Sequence, residues 1–305
     1  MRTPRCLFRK LVSGLHGEQA GHLSNVRPAD SIPPMKLAFS TMAWEPAQDA
    51  LVRATLARRG VNGIEVAPLK HWPQAPDVPS ATLASFRHKW SQAGISVVAL
   101  QGILFGLPEL QLFGSEQQQA ALERHLVGMC MLAGTLGARV VVFGAPRNRV
   151  RGDLTEKEAM ERAVPLLFRV AGEAHDVGVV LCLEPAPRMY GADFICTTEE
   201  ALRLSEAVNH PGFGVHFDAG ASAINAESDA LVLRALQAAQ HFHASEVDLL
   251  PLGSGTVDHH HLGALIRAAN YDNWLSIEMR ASPAESVIDT IERAIDVAME
   301  AYELW

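Results

Sequence analysis

Residues 179–185 read VVLCLEP, a short apolar run with β-branched residues that ends in a carboxylate. Seven further runs of this kind occur, and each gives way to a longer polar and apolar stretch. The eight runs are KLAFSTMAW (36–44), GIEVAP (63–68), SVVALQGI (96–103), RVVVFGAP (139–146), VVLCLEP (179–185), FGVHFDAG (213–220), QHFHASE (240–246) and WLSIEMR (274–280). Short runs of this composition predict buried parallel strands.

Amphipathic stretches with helical periodicity lie between these runs. The clearest are residues 80–93, 115–136, 155–176, 198–208 and 283–301. Eight repeats of strand and helix predict an α/β protein, a (β/α)8 TIM barrel, rather than an open doubly wound sheet. No glycine-rich nucleotide-binding pattern follows any strand, which argues against a dinucleotide or nucleoside triphosphate fold.

The chain divides by composition into a short N-terminal segment and one longer domain. Residues 1–34 are rich in arginine, show no sustained period and end in Pro33-Pro34, so we expect a poorly ordered extension. An arginine-rich targeting peptide is the alternative, and Met35 is a possible natural start. Residues 35–305 are predicted to form the barrel as a single domain.

Composition excludes several classes of protein. The formal net charge of −8 over 305 residues argues against a nucleic-acid partner. The four cysteines have no CxxC spacing, so a reduced, cytoplasmic setting is expected. No apolar run is long enough to span a bilayer, and the N-terminus lacks the apolar core of a signal peptide. We therefore expect no membrane partner.

Four consecutive predicted strands end in ionisable residues: Glu184, Asp218, His243 and Glu278. In a TIM barrel the active site forms at the carboxyl ends of the strands. Because side chains alternate along a strand, the preceding residues face the helices and these four face the barrel mouth. The preceding residues are Leu183, Phe217, Phe242 and Ile277.

Three carboxylates and one imidazole at one point require a counter-charge, because neighbouring carboxylates oppose each other's ionisation. A divalent cation is the simplest one. Ligation dominated by oxygen favours Mn²⁺, Mg²⁺ or Co²⁺ over Zn²⁺. The alternative is a hydrogen-bonded, partly protonated cluster without a metal. One layer deeper, packed or supporting positions are predicted for Cys182, His216, His241 and Ser276.

The segments LEP, HFDAG, HFHASE and WLSIEMR resemble the xylose-isomerase-like TIM-barrel superfamily, over about residues 36–302. This superfamily includes ketose 3-epimerases, hydroxypyruvate isomerase, inosose dehydratase and, more distantly, endonuclease IV. The resemblance implies that Glu184, Asp218, His243 and Glu278 bind the metal. It also implies that Glu184 and Glu278 exchange a proton with a substrate carbon next to a carbonyl. Many members carry a histidine three residues after the aspartate, where this chain has Ala221.

The resulting hypothesis is a metal-dependent isomerase or epimerase of a sugar or sugar phosphate, in which proton abstraction gives a metal-stabilised enediolate. A dehydratase or lyase acting on an inosose or modified sugar is the nearest alternative, because it uses the same first step. A phosphodiester hydrolase like endonuclease IV and a metal-binding protein without turnover are further alternatives.

Further polar residues near the predicted strand ends are candidates for substrate binding. Glu65 and Gln101 end strands two and three, Glu246 follows His243 by three residues, and Arg280 follows Glu278 by two. Arg147, Arg149 and Arg151 lie after strand four, where a guanidinium could bind a carboxylate or phosphate, although a solvated basic loop is the alternative. Barrels of this kind commonly pair, so a homo-oligomer is possible.

Overall fold

The computed structural model describes residues 36–280 and 285–304. Eight parallel strands close into a barrel in which each strand pairs with its neighbours in sequence and β1 pairs with β8. The strands are β1 (Lys36–Ser40), β2 (Gly63–Val66), β3 (Ser96–Leu100), β4 (Val140–Phe143), β5 (Val180–Leu183), β6 (Phe213–Asp218), β7 (Ala239–Ser245) and β8 (Trp274–Glu278). Seven lie within the predicted runs and β7 begins one residue before its run, so the TIM-barrel prediction is confirmed.

Helices connect the strands and cover the outside of the barrel. They are α1 (Asp49–Arg58), α2 (Pro68–His71), α3 (Ser80–Ser91), α4 (Glu116–Leu136), α5 (Glu156–Asp176), α6 (Thr198–Val208), α7 (Ala219–Ile224), α8 (Asp229–Ala238), α9 (His259–Ala269) and α10 (Val287–Tyr302). Hydroxyl residues begin three of the predicted helices: Ser115, Thr155 and Thr197 each accept a backbone N–H in a capping box. These caps fix where α4, α5 and α6 start.

The alternation of side chains separates two layers of the protein. Leu183, Phe217, Phe242 and Ile277 are buried in the large apolar core between strands and helices, as the sequence predicts. Inside the barrel, one cluster consists of small apolar residues, among them Ala38, Val98, Val140, Val142 and Cys182. The interior also contains a polar group, whose members Glu65, His216, His241, His243 and Ser276 are all fully buried. Four of these five come from β6, β7 and β8, and Glu65 comes from β2.

Two further sequence predictions concern the N-terminal segment and membrane spans. The expected extension at residues 1–34 falls outside the described residues. Within residues 36–280 and 285–304, no helix combines the length and the apolar character needed to cross a membrane.

Candidate active site

The structure brings the four predicted strand-end residues together at the mouth of the barrel. Glu184, Asp218, His243 and Glu278 each offer a ligand atom, and these atoms lie within 4.8 Å of one another. The strand register explains the convergence, since Asp218 pairs with His243 across β6 and β7, and Ser245 pairs with Glu278 across β7 and β8. The group has the geometry of a site that could hold a metal ion.

Hydrogen bonds to both of its carboxylate oxygens fix Asp218. One oxygen accepts the backbone N–H of Ala221 at 2.6 Å, because Asp218 is also the N-cap of α7. The other accepts the hydroxyl of Ser245 at 2.6 Å. Ser245 in turn accepts the backbone N–H of Gly220 at 3.0 Å. The carboxylate is therefore held in one orientation at the end of β6.

His243 presents its two ring nitrogens to different surroundings. Nε2 lies 2.9 Å from a carboxylate oxygen of Glu65 inside the barrel. Nδ1 lies 3.2 Å from Glu278, 3.4 Å from Glu184 and 3.8 Å from Asp218, yet makes no well-aligned hydrogen bond. A fully buried nitrogen surrounded by three carboxylates and without a partner is what a metal-ligating imidazole presents.

Glu184 occupies space left by a glycine at the end of β4. A Cβ on Gly144 would lie 2.1 Å from Oε2 of Glu184, so no larger residue fits while the glutamate keeps this position. The fully buried guanidinium of Arg149 donates to the main-chain oxygen of Glu184 at 2.6 Å. The Glu184 side chain is 18% exposed, more than that of Asp218, His243 or Glu278.

The electrostatics of the group are dominated by negative charge. Among the described residues, only imidazoles form ion pairs with the carboxylates of Glu184, Asp218 and Glu278. Burial, reinforced by the other two carboxylates, raises the pKa of Asp218 to about 7. Burial likewise raises the pKa of Glu278, against the opposing effect of His243. The site is therefore short of positive charge, which a divalent cation supplies.

Imidazole protonation reflects the same imbalance of charge. Burial alone lowers the pKa of His243, but the carboxylates of Glu65 and Glu278 outweigh it and hold this pKa well above its usual value. His216 behaves in the opposite way, because burial and the neighbouring His243 and His241 hold its pKa well below the usual value. Of His216 and His243, the carboxylates therefore favour His243 as the cation.

Glu65 and Gln101 lie deeper in the barrel than the four strand-end residues. Glu65 is fully buried, and its Oε2 accepts the Ser276 hydroxyl at 2.8 Å in addition to His243. Gln101 is 3% exposed and donates to Ser40 and, at 3.4 Å, to Glu65. Contact of these two residues with substrate stays a prediction. The observed partners are the buried residues beneath the mouth.

The predicted arginines occupy distinct environments. Arg147 is exposed, and its main-chain oxygen accepts from Gln111. Arg149 is buried, and its guanidinium donates hydrogen bonds to main-chain oxygens. Arg151 binds the main-chain oxygens of Asp193 and Leu154. Of the three, Arg147 is left with an exposed side chain available to a ligand.

Arg280 and Glu246, the remaining candidates, also differ in exposure. Arg280 is exposed, and its backbone N–H donates to Leu249 at 2.9 Å. Glu246 is 2% exposed and accepts from the backbone of Gly253 and Val257 and from Nε2 of His259, each at 3.1 Å. Glu246 therefore closes the loop between β7 and α9. Contact of Glu246 with substrate stays a prediction.

Two residues with clear roles at the site were not singled out for those roles from the sequence. Ser245 holds Asp218, and the pattern HFHASE places it two residues beyond His243 on the same face of β7, which is a signal that strand alternation supplies. Arg149 was grouped with its neighbours as a ligand for anions. Nothing local in PRNR distinguishes a buried arginine from an exposed one.

The barrel and the four-residue group together define the class of protein. The family model of xylose isomerase-like TIM barrels matches residues 54–301. The chain therefore belongs to the xylose isomerase-like TIM-barrel family, as its strand-end motifs indicated. No curated protein sequence matches this chain.

Several solved structures share the fold at low sequence identity. D-psicose 3-epimerase from Clostridium cellulolyticum H10, crystallised with D-tagatose, is 17% identical with a TM-score of 0.70, over 88% of this chain and 97% of that one. The 3-keto-D-glucoside 4-epimerase of E. coli is 18% identical with a TM-score of 0.67, over 85% and 98% of the two chains. The IolI protein, crystallised with a zinc atom, is 18% identical with a TM-score of 0.67, over 88% and 99%.

Proposed function

We propose that the protein is a divalent-metal-dependent isomerase or epimerase of a small carbohydrate, free or phosphorylated, that acts by moving a proton at a carbon next to a carbonyl. The observation that carries this proposal is the convergence of three carboxylates on the unpartnered Nδ1 of His243. The epimerases that share the fold act on small sugars by their names, which supports this substrate class.

The donor set fits a metal ion. The three oxygens and one nitrogen are supplied by Glu184, Asp218, Glu278 and His243. This composition favours Mn²⁺, Mg²⁺ or Co²⁺, while the zinc in the IolI structure shows that the fold also accommodates Zn²⁺. When bound, the cation would stabilise negative charge on the substrate oxygens as the proton leaves.

Glu184 and Glu278 are the proposed acid and base. Both face the His243 imidazole, and no hydrogen bond from another described residue fixes either carboxylate, in contrast to Asp218. Glu184 directly follows β5 and Glu278 ends β8, three strands away around the closed barrel, so we expect them to approach a bound substrate from different sides. One can remove a proton from one face of a carbon while the other returns a proton to the opposite face.

Asp218 and His243 are proposed to act only as ligands. Each is fixed by partners on the protein side, Asp218 by Ser245 and the Ala221 backbone and His243 by Glu65. A group held in this way cannot swing towards a substrate proton. The division of labour therefore follows from which carboxylates are restrained.

Solvent deuterium exchange tests the shared chemical step. Metal-loaded protein is incubated in D₂O with ketoses, ketose phosphates and inososes, and loss of the α-proton is followed by NMR. We expect exchange that requires Mn²⁺, Mg²⁺ or Co²⁺ and falls by about 10²- to 10⁴-fold in Glu184→Gln and Glu278→Gln. Glu161→Gln, an exposed change of the same type on α5, is the matched control and should exchange like the wild type.

The products separate the alternatives. Inversion of one stereocentre identifies an epimerase, and movement of the carbonyl group identifies an isomerase. Loss of the β-hydroxyl group identifies a dehydratase. Absence of exchange across the panel, with metal verified as bound, would overturn the proposed reaction.

A further inference from the structure

We propose that Glu65 is a positioning residue that fixes the tautomer and ring orientation of His243 and thereby sets the affinity of the site for its cation. This inference rests on the proposed function only in taking His243 as a metal ligand. The juxtaposition that points to it is the 2.9 Å contact between Nε2 of His243 and Oε2 of Glu65, on a ring whose other nitrogen faces three carboxylates.

An imidazole donates a hydrogen bond only from a nitrogen that carries a proton. A carboxylate only accepts hydrogen bonds, so the contact requires the proton of His243 to lie on Nε2. In the neutral ring, the lone pair is then on Nδ1, the nitrogen that faces Glu184, Asp218 and Glu278. Without Glu65 the ring is free to protonate at Nδ1 instead, which would turn a donor hydrogen towards the cation.

Glu65 is itself held firmly enough to orient another residue. Its Oε2 receives the Ser276 hydroxyl at 2.8 Å and the Gln101 amide at 3.4 Å, and its Oε1 lies 3.3 Å from Nε2 of His241. The pairing of β2 with β3 shifts register between Ile64 and Glu65. The Glu65 carboxylate on β2 thus contacts Gln101, which directly follows β3, and buried side chains of β7 and β8.

Substitution by glutamine separates charge from shape. Three donors surround Oε2, so the amide of Glu65→Gln should place its oxygen there and its NH₂ towards His241. This variant keeps an acceptor for His243 but loses the negative charge. Glu65→Ala removes the acceptor altogether.

A second carboxylate–imidazole pair in the same chain provides a control. Asp229 on α8 lies 2.8 Å from Nε2 of His261, which repeats the contact of the Glu65 pair at the surface. Neither residue is among those grouped as possible metal ligands. Asp229→Asn should therefore leave the affinity for a cation unchanged.

The experiment is a Co²⁺ titration of the full-length wild type, Glu65→Gln, Glu65→Ala and Asp229→Asn, followed by calorimetry and visible absorption. The exchangeable imidazole N–H resonance of the Co²⁺ form is recorded as a second readout. We expect Glu65→Ala to bind Co²⁺ about 10- to 100-fold more weakly, with a shifted or rapidly exchanging N–H signal. Glu65→Gln, which keeps the acceptor for His243, should stay within about threefold of the wild type, and the Asp229→Asn control should match the wild type in both readouts.

The outcomes separate the positioning role from the proposed reaction. A folded Glu65→Ala with affinity within twofold of the wild type and an unchanged N–H signal would overturn the positioning role. If Glu65→Ala fails to fold, a tenfold or larger loss of affinity in Glu65→Gln would overturn it, because charge and not orientation would then set the affinity. A wild type that binds Co²⁺ but exchanges no substrate proton contradicts the proposed reaction alone. A wild type that binds no divalent cation contradicts both.

Discussion

The buried guanidinium of Arg149 donates a 2.6 Å hydrogen bond to the main-chain oxygen of Glu184, so the loop after β4 holds the chain at the end of β5. The same guanidinium donates to Gly144, Phe194 and Ile195, all through their main-chain oxygens. Burial lowers the pKa of Arg149 to about 10, which still leaves it charged at neutral pH. One side chain thus fixes the backbone of a proposed catalytic glutamate.

Removal of this guanidinium should destabilise the protein. Arg149→Ala leaves several buried carbonyl groups unpaired and should lower the free energy of unfolding by about 3 kcal/mol or more. Arg149→Lys should recover only part of this loss, because one ammonium cannot reach all four oxygens. Denaturant unfolding measures the effect. The exposed Arg147→Ala is the control, and an equal loss there would contradict the assignment.

A methyl group on Gly144 should displace Glu184. The added Cβ would lie 2.1 Å from Oε2 of Glu184, so the carboxylate has to move. We expect Gly144→Ala to reduce proton exchange by about 10²-fold, because a shift of about 1 Å is enough for that loss. Gly172→Ala on α5 has no atom within 4 Å of the new Cβ and should gain about 0.5–1 kcal/mol without loss of exchange. Comparable activity in the two variants would show that Glu184 tolerates displacement.

Metal affinity should increase with pH. The pKa of about 7 at Asp218 means that, below pH 7, this carboxyl holds a proton that a cation has to displace. The raised pKa values of Glu278 and His243 act in the same direction. Affinity should therefore rise at least tenfold per pH unit up to about pH 7 and less steeply above it. Calorimetry between pH 5.5 and 8.5 measures the affinity, and the use of buffers with different ionisation enthalpies also counts the protons released on binding. Binding without proton release would contradict the predicted displacement of a proton from Asp218.

Loss of the Ser245 hydroxyl should loosen Asp218. Ser245→Ala removes the 2.6 Å hydrogen bond to Oδ2 and should weaken metal binding by about tenfold. Ser254→Ala, whose exposed hydroxyl binds only the main chain of Pro251 among the described residues, is the matched control. Titration with Mn²⁺ measures both variants. Equal affinities would show that the α7 backbone alone suffices to hold Asp218.

The strand ends could be predicted from the sequence because alternation is a local property. In LCLEP and LSIEMR the apolar residue and the carboxylate that follows it must face opposite sides of a strand, whatever the remainder of the chain does. The convergence of Glu184 and Glu278 with Asp218 and His243 then follows from closing eight parallel strands. The fold and the candidate metal ligands could therefore both be predicted from the repeat of strand and helix and from the alternation of side chains along each strand.

The roles of the other polar residues depend on the level at which each lies within the barrel. Glu65 has the alternation expected of a mouth residue, yet a shift in register and four buried neighbours place it beneath His243. Glu246 binds groups in the loop that follows it, and Arg149 binds main-chain oxygens that include those of the distant Phe194 and Ile195.

The sequence by itself determined the barrel and the four residues at its mouth, because periodicity and strand order need no knowledge of long-range partners. Only the tertiary structure decided which polar side chains brace the site and which remain free to act. The physical reason is that a buried polar group must find a hydrogen-bond partner, and that partner is chosen by proximity in space.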